Sequence, residues 1–187
     1  YGIIVTTESA KLLVRYLSDV EALSGQCIDL QFSSGKFGWV HGIFLPYDAS
    51  IRFDAGWRFL QLESSIQSHG DYEVWLEMVR RLRRQGSFPV RMMMAASFAS
   101  VLLELVDALP FFVDLWGDTE GVKTVTLMLA CSIWANPSEN QYMGDFRNTD
   151  VGLEVKANAL NNLPLILDDT SRISERIRDN FEGFIYD

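Results

Sequence analysis

The chain has only two cysteines, two histidines and five prolines in 187 residues, and its 16 Lys and Arg side chains are outnumbered by 25 Asp and Glu. Each scarcity excludes something. Cys27 and Cys131 stand far apart among unlike neighbours, which argues against a disulfide framework or a cysteine zinc site and fits a reducing, cytoplasmic setting. His41 and His69 are too isolated to build a metal centre, and each is expected to play a structural part. The net charge of −9 excludes a surface that is basic all over, as sequence-independent DNA binding by electrostatics would favour, but leaves room for a local basic face. Long apolar runs are missing as well. The most apolar stretch, residues 92–116, is interrupted by Glu104, Asp107, Pro110 and Asp114, whereas a membrane span needs about 20 predominantly apolar residues. No membrane partner is expected. The chain opens on Tyr1, not Met, and shows no signal-peptide pattern, so it is expected to be a stretch of a longer cytoplasmic protein.

What is present is an ordinary globular composition, 48% hydrophobic and 22% charged, with no low-complexity tract or internal repeat. Apolar residues recur with helical spacing at Leu12, Leu13, Tyr16, Leu17 and Val20, so residues 7–23 read as an amphipathic helix behind Thr6 and Thr7. Short aromatic-rich runs at residues 28–32, 37–45 and 51–59, broken by Gly, Pro and Asp, read as small antiparallel strands. Residues 72–85 return to helical period through Trp75, Val79 and Leu82, and residues 86–89 break it. Arg80, Arg81, Arg83 and Arg84 crowd the end of that helix, either as charges that complement its dipole or as a basic binding face. A module boundary is expected here, dividing the chain into an N-terminal α+β module, 1–86, and a second unit, 87–187.

Beyond it, residues 90–109 form a mostly apolar helix in which Met92, Met93 and Met94 are expected to pack in the core. The pattern then alternates: strand 111–116, helix 123–134, weak strand 142–147, helix 151–160 and strand 163–167. Such alternation implies βαβ units and a parallel sheet, with ligand groups gathered at the carboxyl ends of the strands.

Residues 111–124 read FFVDLWGDTEGVKT, an apolar strand, a glycine-bearing turn, then Lys-Thr opening a helix. This is the Walker A arrangement. The loop Gly117, Asp118, Thr119, Glu120, Gly121 and Val122 would cradle phosphates with its N–H groups, Lys123 would reach the β and γ phosphates, and the Thr124 hydroxyl would ligate Mg²⁺. Val122 stands where glycine is usual, so Val122→Gly is expected to tighten ATP binding if the side chain obstructs the loop. The run LPLILDD, residues 163–169, delivers acids at the end of an apolar strand in the manner of Walker B. Asp168 would hold the metal, and Asp169, where Glu is usual, would orient the attacking water as a catalytic group beside Lys123.

The chain resembles the domain-of-unknown-function 927 family. The resemblance is carried by LVRYLSD (13–19), FGWVHGIFLPY (37–47), GDYEVWLE (70–77), AASFASVLLELV (95–106), LWGDTEGVKT (115–124), LMLACSIWANP (127–137) and LPLILDD (163–169). It implies an α/β P-loop NTPase core of helicase-like kind, cut off after Walker B, from replication proteins of phages and mobile elements. ATP and Mg²⁺ would be the cofactors, DNA a partner, and a homo-oligomer the working form. The alternative is a degenerate P-loop module that no longer turns over ATP and serves as an assembly or DNA-docking platform.

Overall fold

A computed structural model describes residues 6–27, 29–116, 120–138, 141–146 and 150–168. By its internal contacts the chain divides into two compact units, Tyr1–Phe32 and Ser33–Asp187. Among its described residues the first carries the helix α1 (Ala10–Ser24). Its entry is tied by a reciprocal pair: the Thr6 N–H donates to Ser9 Oγ at 2.9 Å and the Ser9 N–H to Thr6 Oγ1 at 3.3 Å. These bonds close the turn that leads into the helix, whose N-cap residue Ser9 gives no side-chain bond to the helix's own N–H groups.

The second unit is mixed α/β. It holds β1 (Phe32–Ser34, which begins at the junction), β2 (Gly38–Val40), β3 (Ile43–Leu45), β4 (Ile51–Phe53), α2 (Leu60–Ser65), α3 (Tyr72–Gln85), α4 (Phe88–Ser100), α5 (Glu120–Cys131), β5 (Gly144–Asp145), α6 (Asp150–Leu160) and β6 (Leu167–Asp168). Position 86 lies inside this unit, and several bonds join the segments on either side of it. The Phe37 N–H donates to the Ala159 carbonyl at 2.8 Å, the Trp39 indole to the Val101 carbonyl at 2.8 Å and the Trp75 indole to Ser132 Oγ at 3.1 Å.

The expected strand over residues 37–45 is a hairpin. Its two-residue turn is His41-Gly42, with φ of 52° and 80°, the left-handed values that match the twist of paired strands. His41 is thus a turn residue. The run 51–59 keeps only its first three residues as a strand, and after Gly56, φ 85°, it winds into a 3-10 turn and α2.

The helix α3 has the expected bounds because both ends carry strong signals. Asp71 Oδ1 accepts from the N–H groups of Glu73 and Val74 at 2.9 and 3.0 Å, and at the other end the Gly86 N–H returns to the Leu82 carbonyl at 2.7 Å. The expected helix 90–109 instead runs from Phe88 to Ser100, and a 3-10 turn, Glu104–Val106, follows it. Of the three methionines expected in the core, Met93 and Met94 are buried and Met92 is half-buried. Against α4 lies α5, fastened by Ser97, whose hydroxyl donates to the Ala130 carbonyl at 2.8 Å and lies 3.1 Å from the Trp134 indole nitrogen. A core of Phe37, Phe53, Leu62, Ile66, Met93, Tyr142, Leu160, Leu163 and Ile166 spans these elements.

The βαβ expectation holds at one place. β5 and β6 pair in parallel, Gly144 opposite Leu167 and Asp145 opposite Asp168, with α6 as the crossover between them. Ahead of this pair the Gly144 N–H donates to the Ile166 carbonyl at 3.0 Å, while Pro164 has no N–H to offer. The expected strand 111–116 must be corrected: no ladder forms there among the described residues. Its side chains still alternate as in a strand, Val113 and Leu115 packing on the core while Phe112 and Trp116 are exposed, so burial periodicity is present without a hydrogen-bonded neighbour.

Candidate functional site

Helix α5 begins at Glu120, so Gly121, Val122, Lys123 and Thr124 fall in its opening turns, where backbone N–H groups lack intrahelical partners and the helix dipole is positive. Of the sequence-derived phosphate loop, Gly117, Asp118 and Thr119 lie outside the described residues, as does Asp169. The decisive geometry joins two elements 44 residues apart. Thr124 Oγ1 donates to Asp168 Oδ2 at 2.7 Å, bringing a hydroxyl from the start of α5 to a carboxylate at the carboxyl end of β6. Both are half-buried, where a charge-assisted bond of this length is stronger than in water.

Val122 does not occupy a strained loop. It is helical, its carbonyl accepts from Thr126 Oγ1 at 2.7 Å, and its side chain is 55% exposed, so it has room that a tight phosphate loop would deny it. Thr126 is itself buried and locks the first turn to the second.

Reasoning from sequence missed Asp145. In-register partners in a parallel pair project from the same side of the sheet, so Asp145 and Asp168 share a face at the carboxyl end of their strands. The parallel pairing expected for residues 142–147 was the available signal, but the two-residue length of β5 hides the register.

Near the site lies a half-buried polar group of a different kind. The Lys156 ammonium donates to the Tyr142 carbonyl at 2.6 Å, and burial pulls its pKa down against the opposing pull of Cys131 and Asp145. Burial also raises the Tyr142 hydroxyl well above its usual range and pushes the Cys131 thiol up to about 12. Both cysteines are free, Cys131 buried and Cys27 exposed. Among the described residues no group of three or more His, Cys, Asp or Glu side chains could hold a metal ion. No helix among them is long and apolar enough to cross a membrane.

The sequence matches, over residues 1–187, the family described as "Domain of unknown function (DUF927)". The chain belongs to the DUF927 family. No curated protein matches it. Within this DUF927 chain, then, the residues brought together are Lys123 and Thr124 on the opening of α5, Asp168 on β6 and Asp145 beside it.

Proposed function

We propose that this chain is an ATP-binding P-loop module, part of a helicase-like motor that acts on DNA in the cytoplasm as a homo-oligomer. The observation that supports it is the Thr124–Asp168 hydrogen bond, since a hydroxyl at a helix start and a strand-end carboxylate are the two groups such a site uses to manage a divalent cation. The donor set fits Mg²⁺, a hard cation that takes oxygen ligands and keeps several waters: Thr124 would supply one oxygen directly and Asp168 would act through water, with Asp145 adding negative charge on the same face. When bound, Mg²⁺ would neutralise charge on the β and γ phosphates. The chain's own contribution is the α5 N-terminus, whose first-turn N–H groups would receive phosphate oxygens, and Lys123, whose ammonium would offset the terminal phosphates. Asp169 would orient the attacking water.

The test is equilibrium binding of a fluorescent ATP analogue with and without Mg²⁺. Lys123→Ala is expected to weaken binding at least tenfold, the loss of one or two charge-assisted contacts at about 1.5–3 kcal/mol each. Asp168→Asn keeps an acceptor for Thr124, and so the fold, but is expected to remove the Mg²⁺ dependence. Wild-type affinity in a folded Lys123→Ala variant would sink the P-loop assignment. Binding without turnover in the full-length protein with DNA present would favour the non-hydrolysing platform.

A further inference from the structure

The second half of α3 concentrates positive charge. Arg80, Arg81, Arg83 and Arg84 make up a quarter of the 16 cationic side chains in a chain of net charge −9. Arg83 and Arg84 lie one helical turn after Arg80, and the three together line an open recess of about 400 Å³ that Arg81 does not line. All three are exposed, and among the described residues none is held in an ion pair or side-chain hydrogen bond. The nearest acid along the helix is Glu77, one turn before Arg80 and Arg81.

Complementing the helix dipole does not account for this set. That effect is confined to the last turn, where Arg83 and Arg84 already supply it, and Arg80 stands a turn earlier. Like charges at positions i, i+3 and i+4 repel, so the trio opposes the helix unless an anion sits among them. Guanidinium forks match phosphate oxygens, and three of them suit a polyanion better than a single ion.

The same helix says which polyanion. Tyr72 lies 11 residues before Arg83, on nearly the same azimuth and about 16 Å along the axis, a distance that a few nucleotides cover. The residue is 66% exposed, its ring stacks against Trp75 with centroids 6.3 Å apart, and the Trp75 indole is anchored on Ser132 Oγ at 3.1 Å. A fixed, exposed aromatic in line with a phosphate-binding stripe is the combination that single-stranded nucleic acid uses: stacking for a base, arginines for the backbone. A membrane surface fits less well, because Trp75, Leu76, Val79 and Leu82, the apolar face that would enter lipid, are already partly buried.

We propose that this face of α3 binds single-stranded nucleic acid, with phosphates on Arg80, Arg83 and Arg84 and a base on Tyr72. It rests on the nucleic-acid part of the function proposed above, not on the nucleotide part. Anisotropy of a labelled dT12 oligonucleotide, titrated with the chain between 0.05 and 0.3 M NaCl, tests it. Three neutralised phosphates predict a slope of log K against log salt of about −2. The triple variant Arg80→Ala, Arg83→Ala, Arg84→Ala should flatten that slope and weaken binding about 50-fold at 0.15 M salt, the same slope carried to the 1 M reference. Arg81→Ala should change affinity less than about threefold, since it removes the same charge from outside the recess. Tyr72→Ala should weaken dT12 but leave inorganic polyphosphate binding unchanged. The proposal is overturned if the triple variant binds like wild type, if Arg81→Ala is as harmful as Arg83→Ala, or if polyphosphate or phosphatidylserine vesicles displace dT12 phosphate for phosphate. ATP-analogue binding on the same samples separates failure here from failure of the P-loop reading.

Discussion

Cys131 closes α5, the helix whose first turns carry Lys123 and Thr124, and its buried thiol makes the anchoring of that helix measurable through pH. Burial raises its pKa from the ordinary 9.0 to about 12. A group whose folded pKa is raised contributes stability that is complete below the unfolded value and is lost as pH climbs toward the folded one. Above pH 9 the unfolded chain releases the thiol proton and the folded chain keeps it. With the thiol raised to about 12 by burial, the loss attributable to Cys131 is about 1 kcal/mol by pH 10 and about 3 kcal/mol by pH 11. Tyr142, also raised by burial, adds to the loss above pH 10, its ordinary value. Lys156 works the other way. With its pKa lowered from 10.5, it favours the folded state increasingly as pH rises through the interval below 10.5. Comparing wild type with Cys131→Ala cancels most of both. The variant should be less stable at pH 7 by about 1 kcal/mol for the lost sulfur contacts, and this deficit should close and reverse by pH 11. Urea midpoints followed by far-UV circular dichroism, at pH 7 to 11 with a phosphine reductant, measure the difference. Parallel stability curves for the two proteins would refute the reasoning and place the thiol in contact with water.

Two further outcomes follow from particular contacts. Asp71→Ala removes the side chain that accepts two N–H groups at the start of α3, and should lower stability by about 1 kcal/mol in urea unfolding; no change would mean that the cap contributes nothing. Val122→Gly should leave ATP-analogue affinity unchanged or reduced, because position 122 is helical and its side chain exposed, so glycine loosens the helix start without clearing space. A tighter analogue complex would show that the side chain does crowd the ligand.

Local signals made some elements legible and left others hidden. The bounds of α3 could be read because Asp71 and Gly86 stand at its two ends and act there through their own backbone and side-chain bonds. The hairpin over residues 37–45 could not, since its turn uses His41 in a left-handed conformation where Asn or Gly would have advertised it. The end of α4 carries no glycine; Asp107, at φ 52°, takes the left-handed position at the close of the 3-10 turn that follows, so the apolar pattern runs on past Ser100. At the site, Thr124 and Asp168 were visible because the sequence patterns around them, a Lys-Thr pair opening a helix and an apolar run ending in acids, are local. Their bond, and the register that sets Asp145 beside Asp168, depend on how β5, β6 and α5 meet, which no single stretch of sequence records. The run 111–116 shows the reverse case: it reads as an apolar strand, and Val113 and Leu115 do pack on the core, but a ladder needs a second strand.

The outer edge of the hairpin has a further consequence. Asn161, in a left-handed conformation just after α6, donates its amide to the carbonyls of Phe37 and Trp39 at 3.1 and 3.4 Å, and Asn162 Oδ1 accepts the Trp39 N–H at 2.8 Å. Two side-chain amides thereby imitate one residue of a neighbouring strand. An open sheet edge is a template on which foreign chains can polymerise, and bonding groups already occupied cannot recruit one. The asparagine pair therefore works as a chain terminator for sheet growth, guarding a short hairpin against self-association with no charge spent at its rim.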